Sequence, residues 1–161
     1  MINTQKLVWI GAGCALAAIP LLLSARTQET KPAGKITGKT LMPVEELKWV
    51  PMPGLEGAQQ AVLWGDPTKG PHRIFYKWAA GTKAPTHTHT SGDRGVVVSG
   101  VLSLAVEGAA PKKLPPGSYF SLAGGVHHAT AVEGDAPCVF YVEREGPFDA
   151  VMADAAGAKK Q

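Results

Sequence analysis

With 161 residues, 45% of them apolar and 18% charged, the chain can build one globular domain with a packed core and is too apolar to be a disordered polymer. Its 19 glycines and 13 prolines favour an all-β fold with many turns over a helical bundle. The formal charge of +3 comes partly from Lys6, and the remainder is close to balance, which excludes the clustered basic surface that nucleic acid requires.

In chain order, residues 1–6 carry one lysine and precede an apolar run over residues 7–23 (LVWIGAGCALAAIPLLL), closed by Ser24 and Ala25. Residues 1–25 are therefore expected to be an export signal peptide or, if uncleaved, an N-terminal anchor. Ala25 suits a cleavage position and Pro20 is awkward in a permanent helix, whereas Leu23 stands where cleavage sites carry a small side chain. Gly11, Ala12, Gly13 and Cys14 offer a lipoprotein-like alternative. In each version the rest of the chain is exported, to the periplasm or beyond, and meets a membrane only through this segment. With Cys14 set aside, Cys138 is the remaining thiol, so no intramolecular disulfide is expected, and its apolar surroundings predict a small buried hydrophobe.

Residues 26–40 are polar, with Gly, Pro and Lys and no apolar period, as in a flexible tether. The domain is expected over residues 41–150 and a polar tail over residues 151–161. Short apolar runs alternate with turn clusters: AVLW, RIFYKW, residues 95–106, SYFSL and CVFYVE. Ile74, Tyr76 and Trp78 share one face of a strand, with Arg73 and Lys77 on the other; Leu102, Leu104 and Val106 likewise share a face. Such strands, separated by Gly/Pro turns, predict an antiparallel sandwich or barrel.

The segment that carries chemistry runs from Gly81 to Asp93 (GTKAPTHTHTSGD). His87 and His89 are two residues apart, so on a strand both imidazoles face the same side and can share one ion. Asp93 follows a bend containing Gly92, which brings its carboxylate back towards the same point; alternatively it caps Gly92 and pairs with Arg94. Beyond Gly117 a strand-like run reaches Gly124, Gly125, Val126, His127 and His128, which offers a further imidazole from another strand. His127 and His128 are adjacent and face opposite ways, so one of them at most joins the ion. His72, beside Gly70 and Pro71, is expected in an exposed loop.

These residues resemble the two motifs of the cupin superfamily. Gly81, His87, His89, Asp93 and Gly100 match the first motif, and Gly117, Gly125 and His128 match the second, over roughly residues 73–143. The departures are Asp93 where Glu is usual, Ala123 where Pro is usual and Val132 where Asn is usual. The flanking residues 49–54 and 145–149 are similar to those of small single-domain bacterial cupins, a branch that resembles the cupin half of metal-binding anti-sigma factors.

The resemblance implies an all-β, cupin-type jelly-roll β-barrel with a divalent metal bound by His87, His89, Asp93 and His128. Asp is shorter than Glu by one methylene, about 1.5 Å, so direct ligation by Asp93 requires the backbone to move in, and ligation through water is the alternative. His127 is then a rim residue. Fe, Mn, Zn, Ni and Cu all suit such a donor set. Tyr76, Trp78, Phe120 and Tyr141 are expected in the core or lining a pocket. Two functions follow: a small metal-dependent enzyme of oxygenase or isomerase type acting on a small organic molecule, with no catalytic residue assigned, or a non-catalytic module that binds or senses a metal or ligand. A homodimer formed through sheet edges is expected from the resemblance alone.

Overall fold

A computed structural model of the chain describes residues 40–153. The expected export segment, Cys14, all of the tether but Thr40, and residues 154–161 lie outside the described residues.

Alternation of apolar and polar side chains is satisfied by extended backbone with one face turned inward, and the described residues form eleven strands. They are β1 (Val50–Pro51), β2 (Ala58–Gly65), β3 (His72–Trp78), β4 (Lys83–Thr88), β5 (Asp93–Ser99), β6 (Val101–Val106), β7 (Lys112–Leu114), β8 (Tyr119–Leu122), β9 (His128–Glu133), β10 (Cys138–Arg144) and β11 (Val151–Met152). One turn of 3-10 helix, Val44–Glu46, precedes them. Among the described residues no helix is long and apolar enough to cross a membrane.

The strands form two antiparallel sheets, ordered β1-β2-β3-β10-β5-β8 and β11-β4-β9-β6-β7, the jelly-roll barrel that the motifs imply. At the centre of the larger sheet β3 and β10 pair along their whole lengths, Trp78 opposite Cys138 and His72 opposite Arg144. Their inward residues supply most of the core. Ile74, Tyr76 and Trp78 from β3 meet Cys138, Phe140 and Val142 from β10, while Leu102 and Val132 contribute from the smaller sheet. The Phe140 ring lies 5.3 Å from Tyr76 and 5.4 Å from Trp78, centroid to centroid. Each such side chain contributes about 1.5–3 kcal/mol by leaving water.

The inward face of β3 matches the expected parity, with one correction. His72 is no exposed loop residue: it opens β3 in phase with Ile74 and is buried at 1% exposure. The alternation expected in β6 is less regular, because Leu102 is buried while Leu104 and Val106 are only half-buried. Val151 and Met152, placed by composition in the tail, pair with Thr88 and His87 as an edge strand on β4.

The four motif glycines Gly81, Gly100, Gly117 and Gly125 all have positive φ, between 72° and 85°. At Gly100, in the β5–β6 connection, an added Cβ would also stand 2.4 Å from the Pro137 carbonyl oxygen, so both backbone conformation and space require glycine. The motif spacing is thus partly a record of where the barrel turns.

Candidate metal centre

The smaller sheet brings the histidines together. His87 lies near the end of β4, His89 one residue past it, and His128 opens β9 directly opposite His87 in the register. A bulge between Ala84 and His87 shifts β4 against β9, and this places the two strand histidines side by side. Ring centroids are 4.4 Å apart for His87 and His128, 4.8 Å for His87 and His89, and 5.2 Å for His89 and His128. One nitrogen from each ring falls within 4.8 Å of the others, and all three side chains are buried.

Their backbone partners decide which nitrogen faces the centre. Nδ1 of His87 donates to the Pro85 carbonyl at 2.7 Å, Nδ1 of His128 donates to Val126 at 2.9 Å, and Nδ1 of His89 donates to the Asp149 carbonyl. A carbonyl oxygen only accepts, so each Nδ1 carries the proton and each Nε2 presents a lone pair. This is the tautomer a metal requires. Burial further lowers the proton affinity of His87 and His89 from the ordinary imidazole value, favouring the uncharged form that ligates. The donor set fits a divalent ion such as Fe, Mn, Zn, Ni or Cu.

Asp93 stands beside this triad and is paired with Arg144, not with Arg94. It opens β5 opposite Arg144, the last residue of β10, and its two oxygens accept from Arg144, Nε to Oδ1 at 2.5 Å and Nη2 to Oδ2 at 2.6 Å. Oδ2 is 3.5 Å from Nε2 of His89. Arg94, the alternative partner, points to the other face of the sheet, where it lies 3.5 Å from Glu143 and 3.6 Å from Glu145. His127 also faces outward: it is half-exposed with Nδ1 3.0 Å from Glu107.

Three residues without a place in the motif reading complete the site. Arg144 is buried under the ring of Phe148, its guanidinium carbon 4.9 Å from that centroid. Burial opposes its charge, but hydrogen bonding and attraction from Asp93 outweigh this and raise its pKa. Phe148 also lies 5.7 Å from His89. Asp149, besides receiving the proton of His89 on its carbonyl, binds the Thr90 amide at 2.9 Å and the Thr90 hydroxyl through its carboxylate. One signal for Arg144 was present: Cys138, Phe140 and Val142 share an inward parity, and Arg144 continues it, so a cation was due at the core face and needed a buried anion.

A cavity of about 180 Å³ opens onto this cluster. The three histidines, Asp93 and Arg144 lie on its walls together with Tyr76, Trp78, Leu102, Leu104, Phe120 and Phe140. Burial holds the Tyr76 hydroxyl protonated, with its pKa pushed up to about 12. Trp78 Nε1 and Arg144 Nη1 have no hydrogen-bond partner among the described residues. Apolar walls with a few convergent polar groups at one end are the general form of a small-molecule site.

Fold and triad together define a cupin-type barrel with three buried imidazoles positioned to hold one metal ion. Solved structures similar to the chain bear out the fold. The polyketide cyclase RemF from Streptomyces resistomycificus matches with a TM-score of 0.62 at 17% identity, over 72% of this chain and 86% of that one. An RmlC-like cupin from Shewanella frigidimarina NCIMB 400 matches at 0.56 and 17% identity, over 69% and 93%. The DMSP lyase DddQ from Ruegeria pomeroyi DSS-3 matches at 0.58 and 20% identity, over 70% of this chain and 64% of the lyase. No curated protein matches the chain. The chain belongs to the family described as "Domain of unknown function (DUF4437)", whose model covers residues 4–151.

Proposed function

We propose that the protein is an exported mononuclear metal-binding cupin that acts on a small organic molecule at an ion held by His87, His89 and His128. The observation that carries this reading is the convergence of three buried imidazoles, each with its Nδ1 tied to a backbone carbonyl and its Nε2 free. When bound, a divalent ion supplies Lewis-acid or, for Fe, Mn or Cu, redox chemistry.

The chain's own residues supply the rest. Leu102, Leu104 and Phe120 exclude water from the cavity and orient an apolar body against the ion's position. Tyr76, protonated at any physiological pH, offers a hydroxyl to an acceptor within the same space. The cyclase and lyase activities of RemF and DddQ support an enzyme reading without assigning either reaction to this chain, because one fold hosts many chemistries.

A non-catalytic binding or sensing role is the second reading, and one observation favours it. Asp93, the acid nearest the triad, has both oxygens engaged by Arg144, which leaves no free carboxylate there to act as a general base. Elemental analysis of the purified full chain tests the common part: about one divalent ion per chain is expected, and a protein that retains none after reconstitution overturns the reading. Oxygen consumption with phenolic and enol substrates then separates the two roles, since stoichiometric metal without turnover favours binding.

Export rests on the apolar run over residues 7–23 and is tested by fractionation of cells producing the full chain. Pairing of two barrels draws support from the apolar residues Val62, Trp64, Val96, Val98 and Tyr119 exposed on the larger sheet. Sedimentation velocity reads it directly.

A further inference from the structure

We infer that Arg144 withholds Asp93 from the metal, leaving a three-imidazole site with undiminished cationic charge that takes ligands through an anionic oxygen. This rests on the metal-binding reading and adds to it the number of protein donors and the chemical class of the ligand.

The distances make the case for the first part. Asp93 gives one oxygen to Nε and the other to Nη2 of Arg144, at 2.5 and 2.6 Å, which is two-point pairing in a buried setting. Arg144 is itself fixed: β10 runs between β3 and β5, its side chain is 1% exposed, and Phe148 covers the guanidinium. For Asp93 to turn to an ion it would have to leave a buried cation without its partner, which is among the least favourable rearrangements a protein interior allows. Its side chain is also shorter than glutamate by about 1.5 Å. The acid in the first motif is therefore both short and held: its Oδ2 stands 3.5 Å from His89 Nε2, the nitrogen turned to the ion's position, while both its oxygens are committed to the guanidinium.

The second part follows from charge. The negative charge of Asp93 is matched by the guanidinium, so none is left for the ion, and three imidazoles add none. A divalent cation there keeps its whole charge in a cavity walled by Leu102, Leu104, Phe120 and Val142, where little solvent screens it. Arg144 also lines this cavity, and its buried Nη1 is a donor that lacks a partner among the described residues. A small molecule carrying a carboxylate, enolate or phenolate oxygen satisfies both, and a neutral molecule of the same shape satisfies neither.

The test uses the full chain loaded with Co²⁺, whose visible absorption reports donor number and ligand exchange, titrated with benzoate and with neutral benzamide. Benzoate is expected to shift the spectrum and benzamide to leave it unchanged. Asp93→Asn, which keeps an oxygen acceptor for Arg144, is expected to leave the anion-free spectrum as in the wild type and to lower Co²⁺ affinity by less than about 100-fold. Arg144→Gln frees Asp93 to reach the ion, so its anion-free spectrum is expected to change and its benzoate affinity to fall at least about tenfold. A changed anion-free spectrum, or a loss of more than about 100-fold in Co²⁺ affinity, in Asp93→Asn exceeds what losing a supporting group costs; either would make Asp93 a ligand and overturn the inference. Equal responses to benzoate and benzamide would overturn it as well. Should Arg144→Gln fail to fold, Asp93→Asn and the benzoate–benzamide comparison decide the matter on the wild-type frame. Failure of the wild-type chain to load Co²⁺ ends the metal reading itself and takes this inference with it, whereas normal loading with either contrary result removes the inference alone.

Discussion

A histidine becomes a ligand only when something else fixes its proton. His87, His89 and His128 each have Nδ1 engaged by a carbonyl, and so does His72, buried just as deeply and bonded to Gly70; what sets His72 apart is that it lies outside the triad, with no other imidazole converging on its Nε2. His89→Ala is therefore expected to lower metal affinity by more than about 100-fold with the barrel intact, since removing a ligand exceeds the 10- to 100-fold loss typical of supporting groups. His72→Ala is expected to retain the ion while lowering stability. Metal content alongside circular dichroism of both variants checks the pair, and equal retention would count against the assigned site. Cys138 offers a second residue-level test. Its burial pushes the thiol up to about 11 from an ordinary value near 9, so native protein at pH 8 is expected to react slowly with a thiol reagent and unfolded protein quickly. The folded state holds this proton more tightly than the unfolded one. Its contribution is complete below about pH 9 and declines as pH rises from there towards 11, by roughly 2–3 kcal/mol in total, readable as a falling urea midpoint. The three imidazoles were legible from motif spacing. The partner of Asp93 was not, because Arg144 lies 51 positions away and only strand pairing brings the two together.

Among the elements, the segment after β10 does more than end the domain. Residues 145–150 pass beside the triad: the Phe148 amide donates to the Pro67 carbonyl at 2.7 Å, Asp149 holds both His89 and Thr90, and β11 then pairs with β4. Asp149→Ala removes the Thr90 bonds and frees the carbonyl that orients His89. Metal affinity is expected to drop about tenfold with little change in the fold, measured by competition with a chromophoric chelator. The short polar and apolar pieces around residue 149 show no period, so sequence reading placed the domain's end there and missed β11, whose pairing is non-local. The major strands were legible because their alternation is local, and the motif glycines because turns demand them. Gly95 shows the opposite limit. A Cβ there would stand 2.4 Å from both the Phe120 ring and the Tyr141 carbonyl oxygen. Gly95→Ala is expected to destabilise the barrel by about 1–3 kcal/mol through overpacking, seen as a lowered urea midpoint.

For the molecule as a whole, ligation and folding are one equilibrium, because the unfolded chain has no preformed triad. A free ion at a hundred times its dissociation constant adds about 2.7 kcal/mol, and for a domain of this size that corresponds to a rise in melting temperature of roughly 10 °C. His128→Ala is expected to abolish the rise, as followed by thermal denaturation with and without metal. The order of strands within each sheet, by contrast, left no trace in composition or period. β3 and β10 are neighbours at the centre of one sheet although six strands separate them along the chain, and such pairings are specified by the collective packing of the core.

All three imidazoles stand on or beside strands of the smaller sheet, while the aromatic wall of Tyr76, Trp78 and Phe140 belongs to the larger one. Substitutions on the aromatic wall are thus expected to reshape the chamber while leaving the three imidazoles where they stand. Chamber shape and the seat of the three rings therefore answer to different layers, and either can be altered by substitution without touching the other.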